Sequence, residues 1–145
     1  MKKLLVKIVD DRVKPEMIKY QTDGSAAIDL YCFKTDENNP EKFTTGIAVK
    51  IPEGYVGLIM PRSSTGRKDI LLKNTVGVID EDFTGTITYE LFNRKGHMDE
   101  KVKIIDGQRC FQLLIMPVEH CNIEFVDELP VTARGSNGWG STGSK

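Results

Sequence analysis

The strongest constraint on this chain is the period of its apolar residues. They recur at alternate positions in short runs, and glycine, proline, asparagine or aspartate ends each run before a helical face is complete. About nine or ten such runs follow one another, and short strands punctuated by turns predict an all-β sandwich or jelly roll. Neither an internal repeat nor a second domain interrupts the series. A chain of 145 residues buries roughly two-thirds of its unfolded surface in a single core, so no covalent staple is required.

Composition narrows the functions open to such a fold. With 20 basic and 21 acidic residues the formal net charge is -1, and no global field draws the protein to nucleic acid or an anionic membrane. Any anion must be captured locally. No apolar segment approaches transmembrane length. The opening MKKLLVKIVDD regains charge at Lys7 and reads as a first strand rather than a signal peptide. Cys32, Cys110 and Cys121 sit far apart in apolar runs, which predicts buried free thiols in a reducing, cytoplasmic setting. His97 and His120 stand alone, so neither a histidine-ligated zinc site nor a serine-histidine triad is expected.

The stretch NTVGVIDEDFTG, residues 74–85, concentrates the most chemistry. Val76, Val78 and Ile79 are strand residues, and Asp80, Glu81, Asp82 and Gly85 supply a turn that lets a second strand, residues 86–93, run back beside the first as a β-hairpin. Its acidic tip is either a solvated turn or part of a ligand site. Earlier in the chain, residues 26–33 form a strand that puts Ala27, Asp29, Tyr31 and Phe33 on one face and Ala26, Ile28, Leu30 and Cys32 on the other. An aspartate among such neighbours needs a cation, a metal or hydrogen-bond donors if it is buried. A polar loop over residues 34–42 precedes two strands of a β meander joined at residues 52–54.

Next comes PRSSTGRKD, residues 61–69, in which Arg62, Arg67 and Lys68 surround Ser63, Ser64 and Gly66. Such a segment either offers hydroxyls, N–H groups and guanidinium donors to a phosphate, or is a basic loop or helical turn capped by Ser63 or Ser64. Downstream, KVKII and then DGQRCFQLLIMP are further strands. Arg109 and Gln112 lie three positions apart, on opposite faces of a regular strand, so one faces a site while the other makes a structural contact. A last strand spans residues 118–126. The tail ARGSNGWGSTGSK holds the only tryptophan and no apolar periodicity. It reads as a lid that orders over a nucleotide, with a flexible extension as the alternative.

Five ordered blocks together resemble the trimeric deoxyuridine triphosphate nucleotidohydrolases, the dUTPases: AAIDLY, PRSSTG, NTVGVIDEDFTG, GQRCFQ and RGSNGWGSTG. The resemblance implies a jelly-roll subunit in a homotrimer with shared active sites, residues 1–130 as the β domain and residues 131–145 as a glycine-rich arm closing over the site. It implies hydrolysis of dUTP to dUMP and pyrophosphate, with Mg2+ bound mainly through the triphosphate. Asp80 would be the general base. Asn74 and backbone groups at Gly77, Val78 and Ile79 would read uracil, and Phe83 would pack on the deoxyribose. Arg62, Ser63, Ser64 and Gln112 would hold phosphates, with Arg134, Gly140, Ser141 and Thr142 closing on them and Trp139 stacking on the base. Asp29 would sit near the metal-water shell or an arginine across the interface. The family usually has tyrosine at Phe83 and phenylalanine at Trp139. Glu90 resembles the catalytic glutamate of the related dCTP deaminases, so a bifunctional deaminase is an alternative; a non-catalytic nucleotide-binding regulator is another.

Overall fold

The computed structural model describes residues 2–35, 39, 41–94 and 104–138. Strands β1 Leu5–Ile8, β2 Ala27–Lys34, β3 Lys42–Lys50, β4 Tyr55–Pro61, β5 Ile70–Leu72, β6 Gly77–Ile79, β7 Thr86–Asn93 and β8 Gln108–Pro117 carry the fold. The helical elements are one turn of α1, Ser63–Gly66, and a 3-10 turn, Pro15–Met17. Among the described residues, no helix is long and apolar enough to cross a membrane.

All pairings are antiparallel, in the order β5-β7-β3-β2-β8-β4-β6, with β1 added to β3. Strand β2 turns the corner: Ala27 to Cys32 pair with β8, whereas Phe33 and Lys34 pair with β3. One long sheet thereby folds into a nearly closed, jelly-roll-like sandwich, the all-β class expected. Leu30, Phe43, Ile51, Leu91 and Phe111 fill the space between its layers at no more than 1% exposure. Strand β7 alternates as its sequence demands, with Ile87, Tyr89 and Leu91 buried and Thr86, Thr88, Glu90 and Phe92 exposed.

Three connections differ from local expectation. Strands β6 and β7 do not pair, so residues 74–93 are not a hydrogen-bonded hairpin: β6 adds to β4, and β7 lies between β3 and β5. Glycines decide this. A Cβ on Gly77 would come within 3.2 Å of Ile59, and one on Gly57 would meet Ile79 at 3.2 Å, so only bare backbone lets β6 lie this close to β4. Likewise β3 and β4 form no meander, because residues 51–54 cross between layers around the fully buried Ile51. Finally, residues 118–126 form no strand. Every described residue from Met116 to Gly138 is exposed, Phe125 at 95% and Ile123 at 84%, and residues 118–126 pair with none of the sheet's edge strands, so nothing holds them extended as a strand.

The thiols divide. Cys32 and Cys110 are buried as expected, but Cys121 lies in the exposed segment. Of KVKII, residues 101–103 fall outside the described residues, and Ile104 and Ile105 lie outside any strand. Beside the two buried thiols, the Tyr89 ring packs 4.7 Å from that of Phe111, and burial raises the phenol's pKa. Among the described residues its hydroxyl has no hydrogen-bond partner. Tyr89→Phe therefore removes a stranded polar group, and we expect it to raise stability by about 1 kcal/mol. A higher urea midpoint at unchanged slope checks this; a lower midpoint shows that the hydroxyl is satisfied.

Candidate active site

Asp29 is buried, with its side chain 8% exposed, and both carboxylate oxygens are occupied. Arg62 Nε lies 3.0 Å from Oδ1, and Arg109 Nη1 donates to Oδ2 at 3.0 Å. Arg62 Nη1 also donates to the Arg109 carbonyl at 3.2 Å, closing a compact cradle. A β-bulge makes it possible. Leu30 pairs with Phe111 but Tyr31 pairs with Arg109, leaving Cys110 as the extra residue of β8. The insertion reverses the alternation beyond it, so Arg109 and Gln112 emerge on the same face, Gln112 directly opposite Asp29 and Arg109 opposite Tyr31. This corrects the expectation that they face opposite ways.

The bulge also anchors the loop that follows β4. The freed Cys110 carbonyl accepts from Arg62 N–H at 3.0 Å and from Thr65 Oγ1 at 2.6 Å. Neither serine caps α1; Arg62 is its N-cap residue and makes no side-chain cap bond. The hydroxyls of Ser63 and Ser64 are consequently exposed beside Arg62, while Gln112 Nε2 donates to the Pro61 carbonyl at 3.2 Å.

A second cluster surrounds a cleft of about 320 Å³ between β6 and β7, with Asn74, Gly77, Val78 and Ile79 along one wall and Thr88, Tyr89 and Glu90 along the other. Strand β6 ends the sheet, so one of its edges keeps free backbone donors and acceptors. The loop entering it is strained: Thr75, a β-branched residue, has φ 68°, and Val76 N–H closes a tight turn onto the Asn74 carbonyl at 2.7 Å. Lys73 fastens its near end through an N–H bond of 2.9 Å to the Glu90 carbonyl. Its ammonium lies 2.7 Å from Glu41 Oε2 and 3.5 Å from Glu90 Oε2.

After β6, Asp80 is exposed, and Phe83 N–H bonds its carbonyl at 3.2 Å to close a turn. Gly85 lies beneath the Phe83 ring, where a Cβ would meet Cζ at 2.7 Å. Glu81 is not a solvent residue: its Oε2 accepts from Gly54 N–H at 2.6 Å and its carbonyl from Lys50 Nζ, tying the acidic turn to the other layer. Arg134 remains apart, donating to the Asn137 carbonyl of its own exposed segment at 3.0 Å. Trp139, Gly140, Ser141 and Thr142 lie outside the described residues.

The dUTPase family model matches residues 14–143. The chain belongs to the dUTPase family. The deoxyuridine 5'-triphosphate nucleotidohydrolase of Escherichia phage T5 is 44% identical over 102 residues, covering 70% of this chain and 67% of that protein. That of Histophilus somni strain 2336 is 36% identical over 154 residues and is covered in full, as is this chain. A solved mutant of the Staphylococcus bacteriophage 80alpha dUTPase with dUpNHpp superposes with a TM-score of 0.79 at 25% identity, covering 99% of both chains.

In this dUTPase chain, sequence reasoning missed Arg109 as the second partner of Asp29 and Lys73 with Glu41 as the fastening of the cleft loop. The bulge had a signal in the adjacent apolar pair Cys110 and Phe111, which breaks the alternation of β8. Lys73 had none, because its partners come from distant strands. Asp29→Ala leaves two guanidinium groups facing each other without their anion. We expect a loss of about 2 kcal/mol in stability, read by chemical denaturation; an unchanged midpoint argues against the cradle.

Proposed function

We propose that this chain hydrolyses dUTP to dUMP and pyrophosphate. The observation that carries the reading is the coincidence, on one short loop, of an edge strand open to a cleft, an exposed carboxylate and an aromatic shelf. Uracil presents an N–H between two carbonyls, which suits the unpaired backbone edge at Gly77, Val78 and Ile79 together with the Asn74 side chain. Cytosine reverses the central donor and meets mismatched groups. Phe83, held flat over Gly85, packs against the deoxyribose and leaves no room for a 2'-hydroxyl.

Asp80 takes the proton of a water whose oxygen attacks the α-phosphorus. The bond to the bridging oxygen breaks, and pyrophosphate leaves with the electron pair. Arg62, Ser63, Ser64 and Gln112 hold phosphate oxygens, with Asp29 acting as the anion that orients Arg62 and Arg109. Its two oxygens are already taken by arginines, so we assign it to that task and not to a metal-water shell. Among the described residues no group of three or more His, Cys, Asp or Glu side chains is placed to hold a metal ion. We place magnesium with the triphosphate as part of the substrate, where it would neutralise phosphate charge.

The assembly we propose is a homotrimer with shared sites. Its support is the run of exposed residues from Met116 to Gly138 and the half-exposed apolar side chains Val78 and Met116, at 60% and 42%, on the outer face of the β6-β4-β8 layer. In this assembly residues 1–130 form the β domain and residues 131–145 an arm. Arg134, Gly140, Ser141 and Thr142 close on the phosphates, and Trp139 stacks on the base. Two buried thiols suit a reducing, cytoplasmic setting.

The deaminase alternative places Glu90 inside the pocket as a proton shuttle. Its side chain lies on the cleft wall but is 57% exposed and paired with Lys73. Assaying purified protein with dUTP, dCTP and dTTP for pyrophosphate and ammonia separates the readings, and ammonia from dCTP would establish the deaminase. Asp80→Asn should lower turnover of dUTP by at least about 1000-fold while nucleotide affinity, followed through Trp139 fluorescence, changes little. Turnover close to that of the unaltered protein would remove Asp80 from the chemistry.

A further inference from the structure

The strained turn at Thr75 lies between two fixed points. On its far side β6 is laced to β4 through Gly77 and Ile59. On its near side Lys73 is held three times: by its N–H to the Glu90 carbonyl, and by its ammonium to the carboxylates of Glu41 and Glu90. Glu41 is itself fixed to β7, since its carbonyl accepts from Leu91 N–H at 3.1 Å. A positive φ at a β-branched residue is unfavourable and persists only where neighbouring contacts over-determine it. Here those contacts enclose the residues that line the cleft.

We propose that Lys73 is a positioning residue for base recognition, clamping the Asn74–Thr75–Val76 turn through Glu41 and Glu90 so that Asn74 and the β6 edge meet the base already ordered. The inference rests on the dUTP reading above and adds to it a residue that lines the cleft and acts through the turn beside it. Glu90, in this account, serves as half of the clamp. Glu41 joins the cleft to the start of β3, so three segments far apart in sequence converge on one ammonium. The two carboxylates, Glu41 above all, raise the Lys73 pKa above its ordinary value.

Clamp partners are 43% to 57% exposed, so water and salt weaken each pair and the effect of cutting them is moderate. Replacing Lys73 by methionine keeps the stem and deletes the charge. We expect Lys73→Met to raise KM for dUTP roughly 3- to 10-fold with kcat nearly unchanged, and to lower the preference for dUTP over dCTP in kcat/KM by a similar factor. Phosphate contacts are common to both nucleotides and cancel in that ratio. A merely structural role lowers the active fraction for both equally and leaves the ratio where it was. Lys73→Arg, which keeps the charge, should restore most of the loss.

Thr75→Gly tests the same turn from its other component. Removing the strain also removes the rigidity, so it too should raise KM. Combined with Lys73→Met it should add less than the product of the two single effects, because both loosen one element. An unchanged KM and base preference in Lys73→Met, or full multiplicativity in the double variant, overturns the clamp. Were the unaltered protein inactive on dUTP, the reading beneath would fail instead. Calorimetric titration with a non-hydrolysable dUTP analogue then still scores the clamp: weaker binding by Lys73→Met supports it, and equal binding ends it.

Discussion

Two adjacent side chains of β8, Cys110 and Phe111, both enter the core, at 1% and 0% exposure, because one extra residue is threaded opposite the Leu30–Tyr31 step of β2. An extra residue forfeits ladder bonds and leaves a carbonyl that must find donors elsewhere. Here the donors are Arg62 N–H and the Thr65 hydroxyl, so the loop that follows β4 is drawn against β8. The same insertion turns Arg109 to the face of Asp29, where its guanidinium and that of Arg62 neutralise a buried carboxylate. The local bend thus sets the cradle of Asp29, Arg62 and Arg109, and the core gains an aromatic and a thiol from consecutive positions.

A second constraint governs the cleft between β6 and β7. Strands β6 and β7 belong to opposite ends of the folded sheet, yet they face each other across the cleft. Had they paired, the edge of β6 would be consumed by its neighbour and no backbone would remain to meet a ligand. Glycines at positions 57 and 77 press β6 onto β4, and the turn through Glu81 is tied to Gly54 and Lys50 in the loop and strand before it. The strained Thr75 and its anchors complete the frame. Rigidity at the cleft comes from contacts distributed over four strands rather than from the loop's own sequence.

Much of the architecture was legible in the chain. Alternation in β7 named its buried and exposed faces residue by residue, and the burial of Ile87, Tyr89 and Leu91 follows it. That Asp29 would need a cation, a metal or hydrogen-bond donors if buried was also readable, from its place between Ala27 and Tyr31 on a strand. Which cation answers it was not, because the bulge changes the facing of Arg109 and no propensity records an insertion of one residue. Strand pairing was misread where sequence neighbours are not spatial neighbours, at β3 with β4 and at β6 with β7. Residues 118–126 carry strand-like composition but find no sheet edge within the chain, and composition is silent about edges.

The sequence by itself determined the class of fold and the positions of most of its strands, β5 excepted, because side-chain period and turn chemistry are local properties. Tertiary structure decided which strands share hydrogen bonds, which face Arg109 presents, that Glu81 is a brace, and that Lys73 meets Glu41 and Glu90. Each of these depends on contacts between distant segments, whose geometry is set by how the sheet folds over its core.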